Sequence, residues 1–212
     1  MDDAEFDRAL VGAAFALAAE RGWREVTVAE AARRADLPLD RARARFPMRA
    51  AILMRFGRLA DQAALGLAPR DGPHRDRLFD LLMRRFDVLQ AHRAGVLALL
   101  RALPGDPCLT AFLGLATTRS MGWMLDAAGI ATTGLRGRLR TKGLVGVWLA
   151  TLHAWRDDAS EDLSATMAAL DRALKQAERV DGWLTGRRHA PPEPHAHPPP
   201  AGAADEPTAP PL

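Results

Sequence analysis

Residues 27–53, TVAEAARRADLPLDRARARFPMRAAIL, constrain the fold of this chain more than any other segment. They predict two short helices joined by a tight turn, because Thr27 and Glu30 have the spacing of a capping box and Pro38 suits the first turn of a second helix. Eight arginines and two aspartates lie between residues 33 and 58, which makes this stretch +6 in a chain of formal net charge +3. A head that reads duplex DNA needs such a cationic helix pair, since much of its affinity comes from neutralising phosphates.

The remainder of the chain repeats apolar residues at helical spacing and shows no alternation typical of a strand, so the sequence predicts an all-α protein. A first helix that carries Phe6 on its apolar face ends before Gly22. We expect a helix-turn-helix head of three helices over residues 1–66 and a helical bundle for ligand binding and dimerisation over residues 74–185. The Pro-containing residues 69–73 are the predicted linker between them.

From residue 187 the sequence reads RRHAPPEPHAHPPPAGAADEPTAPPL, which is dominated by Pro, Ala and His. Large apolar residues are nearly absent, so burial cannot offset the entropy lost on ordering. The sequence therefore predicts a disordered, Pro-rich tail over residues 186–212.

Composition excludes several classes of protein. Cys108 is the only cysteine, which rules out a disulfide within the chain and a zinc site of several thiolates. The N-terminus, MDDAEFDRAL, opens with acidic residues where a signal peptide has positive charge, and the longest apolar run is too short to span a bilayer. No nucleophile elbow, phosphate loop or metal-ligand spacing is present. We expect a cytoplasmic protein without a transmembrane segment, which is not an enzyme and holds no cofactor or metal.

The head carries short motifs in a fixed order: Glu20-Arg21-Gly22-Trp23, Thr27, Asp36-Leu37-Pro38, the arginines of residues 41–45, Phe46-Pro47 and Arg49. In this order and spacing they resemble the head of TetR-family transcriptional repressors. Three positions differ from the usual family pattern. Asp36 stands where the family usually has Gly, Pro38 where it has a small polar cap, and Arg43 where it has a Tyr that grips a phosphate.

The resemblance implies a homodimeric regulator that binds double-stranded DNA with two heads and is controlled by a small apolar ligand in the body. The residues expected to contact DNA are Thr27, Leu39, Arg41, Arg43, Ala44, Arg45 and Arg49. Arg41 and Arg45 lie four residues apart on one helical face and are candidates for guanine, whereas Arg43 and Arg49 can reach flanking phosphates. The alternative is that all four arginines simply lie on an ordinary solvated surface.

Large side chains of the body are candidates for lining the ligand pocket: Phe112, Met121, Trp123, Met124, Trp148 and His153. The alternative is that these side chains pack in an ordinary hydrophobic core, and that His153 has a core or interface role. Two apolar rows predict a two-fold dimer interface of four helices, with an intrachain core as the alternative: Leu144, Trp148, Leu149 and Leu152 in one row, and Leu163, Met167, Leu170 and Leu174 in the other.

A second resemblance covers the body. The run DDASED at residues 157–162, followed by Thr166 and by Leu170-Asp171-Arg172, looks like the C-terminal signature of the lipid-binding accessory proteins of ubiquinone biosynthesis. That family shares the TetR fold but has given up DNA reading. The alternative function is therefore that of an accessory protein that binds a quinone or prenyl lipid and has lost DNA binding.

Overall fold

The computed structural model describes residues 1–66 and 71–184, which form nine α-helices and two single 3-10 turns. No strand occurs within these residues, and the predicted all-α class is confirmed. The predicted tail lies outside the described residues, and so does part of the predicted linker. Within the described ranges, no helix is long and apolar enough to cross a bilayer.

Residues 1–66 contain four helices, one more than the three-helix head that the sequence predicts: α1 (Asp3–Arg21), α2 (Val28–Arg34), α3 (Leu39–Arg45) and α4 (Arg49–Leu65). α1 begins before its first large apolar residue because Asp2 and Glu5 form a capping box. The carboxylate of Asp2 accepts from the Glu5 backbone N–H at 2.7 Å, and the carboxylate of Glu5 accepts from the Asp2 N–H at 2.9 Å. The helix ends at Gly22, whose φ of +90° lies in the region that favours glycine.

The turn between α2 and α3 has the tight geometry that the sequence predicts. Thr27 begins α2, since its Oγ1 accepts from the Glu30 N–H at 3.2 Å. Asp36 has a φ of +51°, a left-handed conformation that Asp tolerates better than most residues. The replacement of the usual Gly by Asp36 is therefore compatible with the turn.

Five helices build the body: α5 (His74–Ala91), α6 (Arg93–Ala102), α7 (Pro107–Ala127), α8 (Gly134–Asp157) and α9 (Ser164–Leu184). α8 packs along α9, and α5 contacts both α7 and α9. The sequence is apolar on most sides of α8 and predicts a buried helix, but Leu139 and Leu149 are exposed. α8 is thus covered on one side only by its own chain.

The head and the body share one hydrophobic core. Phe15 of α1 and Phe56 of α4 pack with their ring centroids 4.4 Å apart, and His92 at the junction of α5 and α6 lies 5.7 Å from each. Gly95 lets α6 approach α1 closely, because a Cβ at this position would lie 2.2 Å from the Phe15 carbonyl oxygen. Burial lowers the pKa of His92, which favours the neutral imidazole in this aromatic setting.

Candidate nucleic-acid interface

The helix α3 buries one face and exposes another. Ala42 is buried, and Leu37 and Phe46 are buried on either side of the helix. The exposed face carries four side chains: Leu39, Asp40, Arg43 and Ala44. Three of the predicted DNA-contacting residues of α3 therefore reach solvent together, beside one aspartate.

Arg43 is the cation of this exposed face. One of its Nη atoms donates to the Pro47 carbonyl at 2.8 Å, which holds the guanidinium over the end of α3. No carboxylate pairs with Arg43 anywhere in the two described ranges. Its remaining N–H groups can donate to a phosphate, and phosphate binding by Arg43 stays a prediction.

The structure turns Arg41 and Arg45 away from this face and toward α1. Arg41 pairs with Asp3 at 2.5 Å and lies over the Phe6 ring, 4.5 Å from its centroid. Arg45 donates through Nε and Nη2 to Asp7, each at 2.8 Å, and also pairs with Asp3 at 2.6 Å. These pairs raise the pKa of Arg45, with the hydrogen bond to Asp7 as the main cause. The two arginines share one helical face as predicted, but that face meets α1.

A buried carboxylate organises this contact. The side chain of Asp7 is only 3% exposed, and Arg55 of α4 forms a second ion pair with it at 2.8 Å. Asp7 therefore joins α1, α3 and α4 through two guanidinium groups. We call Asp7, Arg45 and Arg55 the head cluster.

The cationic charge of the head is smaller than the sequence suggests. Arg34 pairs with Glu20 at 2.5 Å, so four of the eight arginines between residues 33 and 58 pair with acidic residues of α1. These acidic residues are three in number, and they offset three of the four positive charges. Arg49 donates to the backbone carbonyls of Trp23 and Arg24 at 3.3 and 2.7 Å. Thr27, at the start of α2, is exposed. Exposed arginines of this stretch without a carboxylate partner within the described residues are Arg33, Arg43 and Arg58.

Sequence reasoning missed the acidic partners in α1, although a signal for them exists. Asp3 and Asp7 lie four residues apart, and so do Arg41 and Arg45. Matching spacings of opposite charge on two helices are what a pair of packed helices needs to align several ion pairs. Nothing in the local sequence shows which helices pack, however.

The six residues predicted to line a ligand pocket are divided between the core and the surface. Met121, Met124 and Trp148 are buried in the core, and Phe112 is half-buried. Trp123 is 58% exposed, and His153 is exposed on α8. Only Trp123 borders one of the two clefts identified among the described residues. Ligand binding by this set stays a prediction.

The two predicted dimer rows divide between core and surface. Five members are buried within the single chain, as the intrachain alternative predicts: Leu144, Trp148, Leu163, Leu170 and Leu174. Leu149 is 54% exposed, and Leu152 and Met167 are half-buried. Exposed positions of α8 and α9 include small and apolar residues next to polar ones such as Lys142 and His153: Gly143, Gly146, Leu149 and Ala150 from α8, and Ala165 and Ala168 from α9. We call these six residues the α8–α9 face.

A second buried ionic contact joins the body to α4 of the head. Arg85 of α5 is 7% exposed, pairs with Asp61 of α4 and donates to Ser120 of α7, whose hydroxyl donates to Asp61 at 2.6 Å. Its guanidinium carbon also lies 4.9 Å from the Trp148 ring centroid. Burial lowers the pKa of Arg85 to about 10, so that it remains protonated at neutral pH. We call Arg85, Asp61 and Ser120 the body cluster.

The signature at residues 157–162 has a structural role. The Asp158 carboxylate accepts from the backbone and hydroxyl of Ser160 at 3.0 and 2.5 Å, and from the backbone and hydroxyl of Thr166 at 2.8 and 2.7 Å. Asp158 thereby ties the end of α8 to the first turn of α9. Within the described residues, no group of three or more His, Cys, Asp or Glu could hold a metal ion.

Comparison with known proteins finds relatives by structure. No family model matches the chain, and no curated protein matches its sequence significantly. A TetR transcriptional regulator from Nitrosomonas europaea superposes with a TM-score of 0.67 at 24% identity, over 82% of this chain and 99% of that one.

Two further solved structures match more weakly. A TetR-family regulator from Streptomyces coelicolor has a TM-score of 0.56 at 22% identity, over 87% of this chain and 85% of that one. A TetR regulator from Rhodococcus sp. RHA1 has a TM-score of 0.54 at 19% identity, over 84% and 97% respectively. The resemblance predicted from the head is thus confirmed at the level of the fold: the chain has the fold of the TetR-family transcriptional regulators.

Proposed function

We propose that the protein is a dimeric, DNA-binding transcriptional regulator of the cytoplasm. The observation that carries the proposal is the exposed face of α3, the second helix of a helix-turn-helix, which presents a guanidinium without a carboxylate partner. The solved structures with this fold are transcriptional regulators by name. No catalytic step is part of the proposal.

The exposed side chains divide by the contacts they can make in a major groove. Arg43 suits a phosphate or a guanine edge, and Thr27 suits a phosphate at the start of α2. Leu39 and Ala44 can make apolar contacts with thymine methyl groups. Asp40 repels nearby phosphates but can accept from cytosine N4, so it restricts the sequences that fit.

The inward-facing arginines act by positioning α3. Because Arg41 and Arg45 hold α3 against α1, their removal is expected to disturb the orientation of the whole exposed face. Arg49 acts similarly on the turn after α1 through the Trp23 and Arg24 carbonyls. This role replaces the direct base contact that the sequence suggests for Arg41 and Arg45.

The small residues of the α8–α9 face support the proposal that the protein forms a dimer. Glycine inside a helix costs about 0.5–1 kcal/mol relative to alanine, yet a Cβ at Gly143 or Gly146 would meet nothing within 4 Å in the single chain. Close approach by a second copy explains why small residues occur here, since two α8–α9 pairs then form a four-helix interface. A two-fold dimer presents two heads to two half-sites of DNA.

The test of DNA binding is a salt titration with a duplex from upstream of the protein's own gene. We expect the logarithm of affinity to fall steeply and linearly with the logarithm of salt concentration. Arg43→Gln should lower affinity about tenfold and reduce the slope by about one, without changing stability. Arg101→Gln, which removes an exposed arginine of α6, is the matched control and should change neither.

Two results would contradict the proposal. One is the absence of binding to any duplex at low salt, and the other is equal binding by the Arg43→Gln and Arg101→Gln variants. Arg45→Gln separates positioning from contact, because it should lower both stability and affinity.

The dimer is tested by sedimentation equilibrium. Leu149→Glu places a charge on the α8–α9 face and should convert a dimer to a monomer. Leu115→Glu places the same charge on α7, where Leu115 is 75% exposed, and should leave the dimer intact. A wild-type monomer at micromolar concentration would contradict dimerisation through this face.

Control by a small apolar ligand remains part of the proposal, and the lipid-binding accessory protein remains the second candidate. Pairing of four head arginines with three carboxylates of α1 favours the second candidate, since it leaves fewer cations for phosphates. One measurement distinguishes the ligand-controlled regulator from the lipid-binding accessory protein. A quinone or prenyl lipid that co-purifies with the protein and is detected by mass spectrometry, together with no DNA binding, would select the accessory protein.

A further inference from the structure

A cleft of about 590 Å³ opens on the surface between α4 and α7. Its lining residues come from α4 and its end, with one aromatic residue from α7: Arg58, Asp61, Gln62, Leu65, Gly66 and Trp123. The volume lies within the range of small-molecule sites. We call it the α4–α7 cleft.

The charges around the cleft favour an anion. Asp61 is already neutralised by Arg85, which lies behind it in the body cluster. Arg58 is exposed and has no carboxylate partner in the parts of the chain that the structure describes. These three groups sum to one positive charge, and Gln62 adds amide donors beside it.

The apolar part of the cleft favours a flat ring. Trp123 is 58% exposed although it is one of the largest apolar side chains of α7. Indole surfaces stack well on aromatic ligands, with the offset geometry that aromatic pairs prefer. Leu65 supplies an apolar neighbour from α4. A ring that covers Trp123 removes apolar surface from water without distorting the core.

We propose that the α4–α7 cleft binds a planar aromatic anion, such as an aryl carboxylate, with its ring on Trp123 and its carboxylate on Arg58. This deepens the ligand control named above and rests on the proposed function for its regulatory meaning. The ligand is then amphipathic instead of purely apolar, and its site shares only Trp123 with the six predicted residues.

The cleft is placed to influence the head. α4 follows directly after the recognition helix α3, and it supplies Arg58, Asp61, Gln62 and Leu65. The body cluster ties the same stretch of α4 to α5 and α7. A ligand between α4 and Trp123 adds contacts to one position of α4 and so favours the head orientation that goes with it.

The test uses 2-naphthoate and isothermal titration calorimetry on the full chain without DNA. We expect saturable binding, one molecule per chain, with a Kd in the range of about 1 mM or tighter. Arg58→Gln and Trp123→Ala should each weaken binding about tenfold. The neutral analogue 2-naphthamide should also bind about tenfold more weakly to the wild type.

Two matched variants control for general surface effects. Arg101→Gln removes an exposed arginine of α6 and Leu115→Ala trims an exposed apolar residue of α7, and neither should change the Kd. All four substituted side chains are exposed, so the variants should fold, which circular dichroism checks. Binding that is absent, or that survives either Arg58→Gln or Trp123→Ala unchanged, overturns the site. Because no DNA is present, this failure is distinct from loss of DNA binding.

Discussion

Asp7 of the head and Arg85 of the body are both buried charged side chains, and they are partnered differently. In the head cluster, one buried anion, Asp7, pairs with Arg45 and Arg55 from two other helices. In the body cluster, one buried cation, Arg85, pairs with one carboxylate among the described residues, that of Asp61. Each cluster also contains one buried Nε, of Arg55 and of Arg85, without a hydrogen-bond partner in the described residues. α4 belongs to both clusters. The head is thus fixed by one anion that two cations share, whereas the contact of Arg85 with α4 depends on a single ion pair.

The largest expected effect comes from breaking the head cluster. Asp7→Ala leaves two guanidinium groups facing a buried space, so the free energy of unfolding should fall by about 3–4 kcal/mol. Urea denaturation measures this loss. Asp3→Ala is the control, since Asp3 is 66% exposed and pairs with the same helix α3. If both variants lost equal stability, the burial of Asp7 would not explain its role.

Breaking the body cluster should lower the free energy of unfolding by less, and a second substitution should recover most of the loss. Arg85→Met leaves Asp61 without its cation and should lower the free energy of unfolding by about 2 kcal/mol. Adding Asp61→Leu removes the unpaired carboxylate and should recover most of the loss. A double variant less stable than Arg85→Met would show that Asp61 stabilises the fold without Arg85, through its hydrogen bond from Ser120.

A third carboxylate, Asp158, makes the stability of the body depend on pH. Hydrogen bonds from Ser160 and then Thr166 lower its pKa in the folded protein. Such a group stabilises the fold above its unfolded pKa of about 3.9, and this contribution is lost as the pH falls through the lower folded value. Asp158→Asn should therefore cost about 1–2 kcal/mol at pH 7.

The measurement is urea denaturation of wild type and Asp158→Asn between pH 7 and pH 3. The difference in unfolding free energy should be constant down to about pH 4 and then shrink. A constant difference throughout would show that the ionised form of Asp158 is unimportant. The predicted loss should appear at the start of α9 in hydrogen exchange, with the head unaffected.

The smallest effect is expected in the turn of the head. Asp36 is left-handed at φ +51°, so Asp36→Gly relieves steric cost and should raise the free energy of unfolding by about 0.5 kcal/mol. Asp36→Ala should lower it by about 1 kcal/mol. Differential scanning calorimetry compares the three proteins. An alanine variant as stable as the glycine variant would mean that the turn relaxes away from this conformation.

Local signals in the sequence predict the helices well. Gly22 ends α1, Thr27 begins α2 and Pro38 precedes α3, because each of these residues favours its position through its own backbone or side chain. These effects act within a few residues, so a single sequence contains them.

The orientation of the arginines could not be predicted in the same way. The hydrogen bonds of Arg41 and Arg45 to α1 join residues 38 apart in sequence, and a local charge count treats both arginines as free. The prediction that α8 is buried on most sides was wrong for a related reason. Leu139 and Leu149 are apolar at helical spacing, yet the single chain covers only one side of their helix. Long-range packing decides both outcomes.

The chemistry of the α8–α9 pair has a practical consequence. The chain has only two lysines, Lys142 on α8 and Lys175 on α9, and both are exposed. Amine-reactive dyes and cross-linkers therefore find both of their lysine targets in the body, and the α-amino group of exposed Met1, before α1, is a third target. A fluorophore on Lys142 lies beside Gly143 and can report assembly of two copies by self-quenching. The scarcity of lysine thus confines side-chain labelling by these reagents to the body, once the α-amino group of Met1 is blocked.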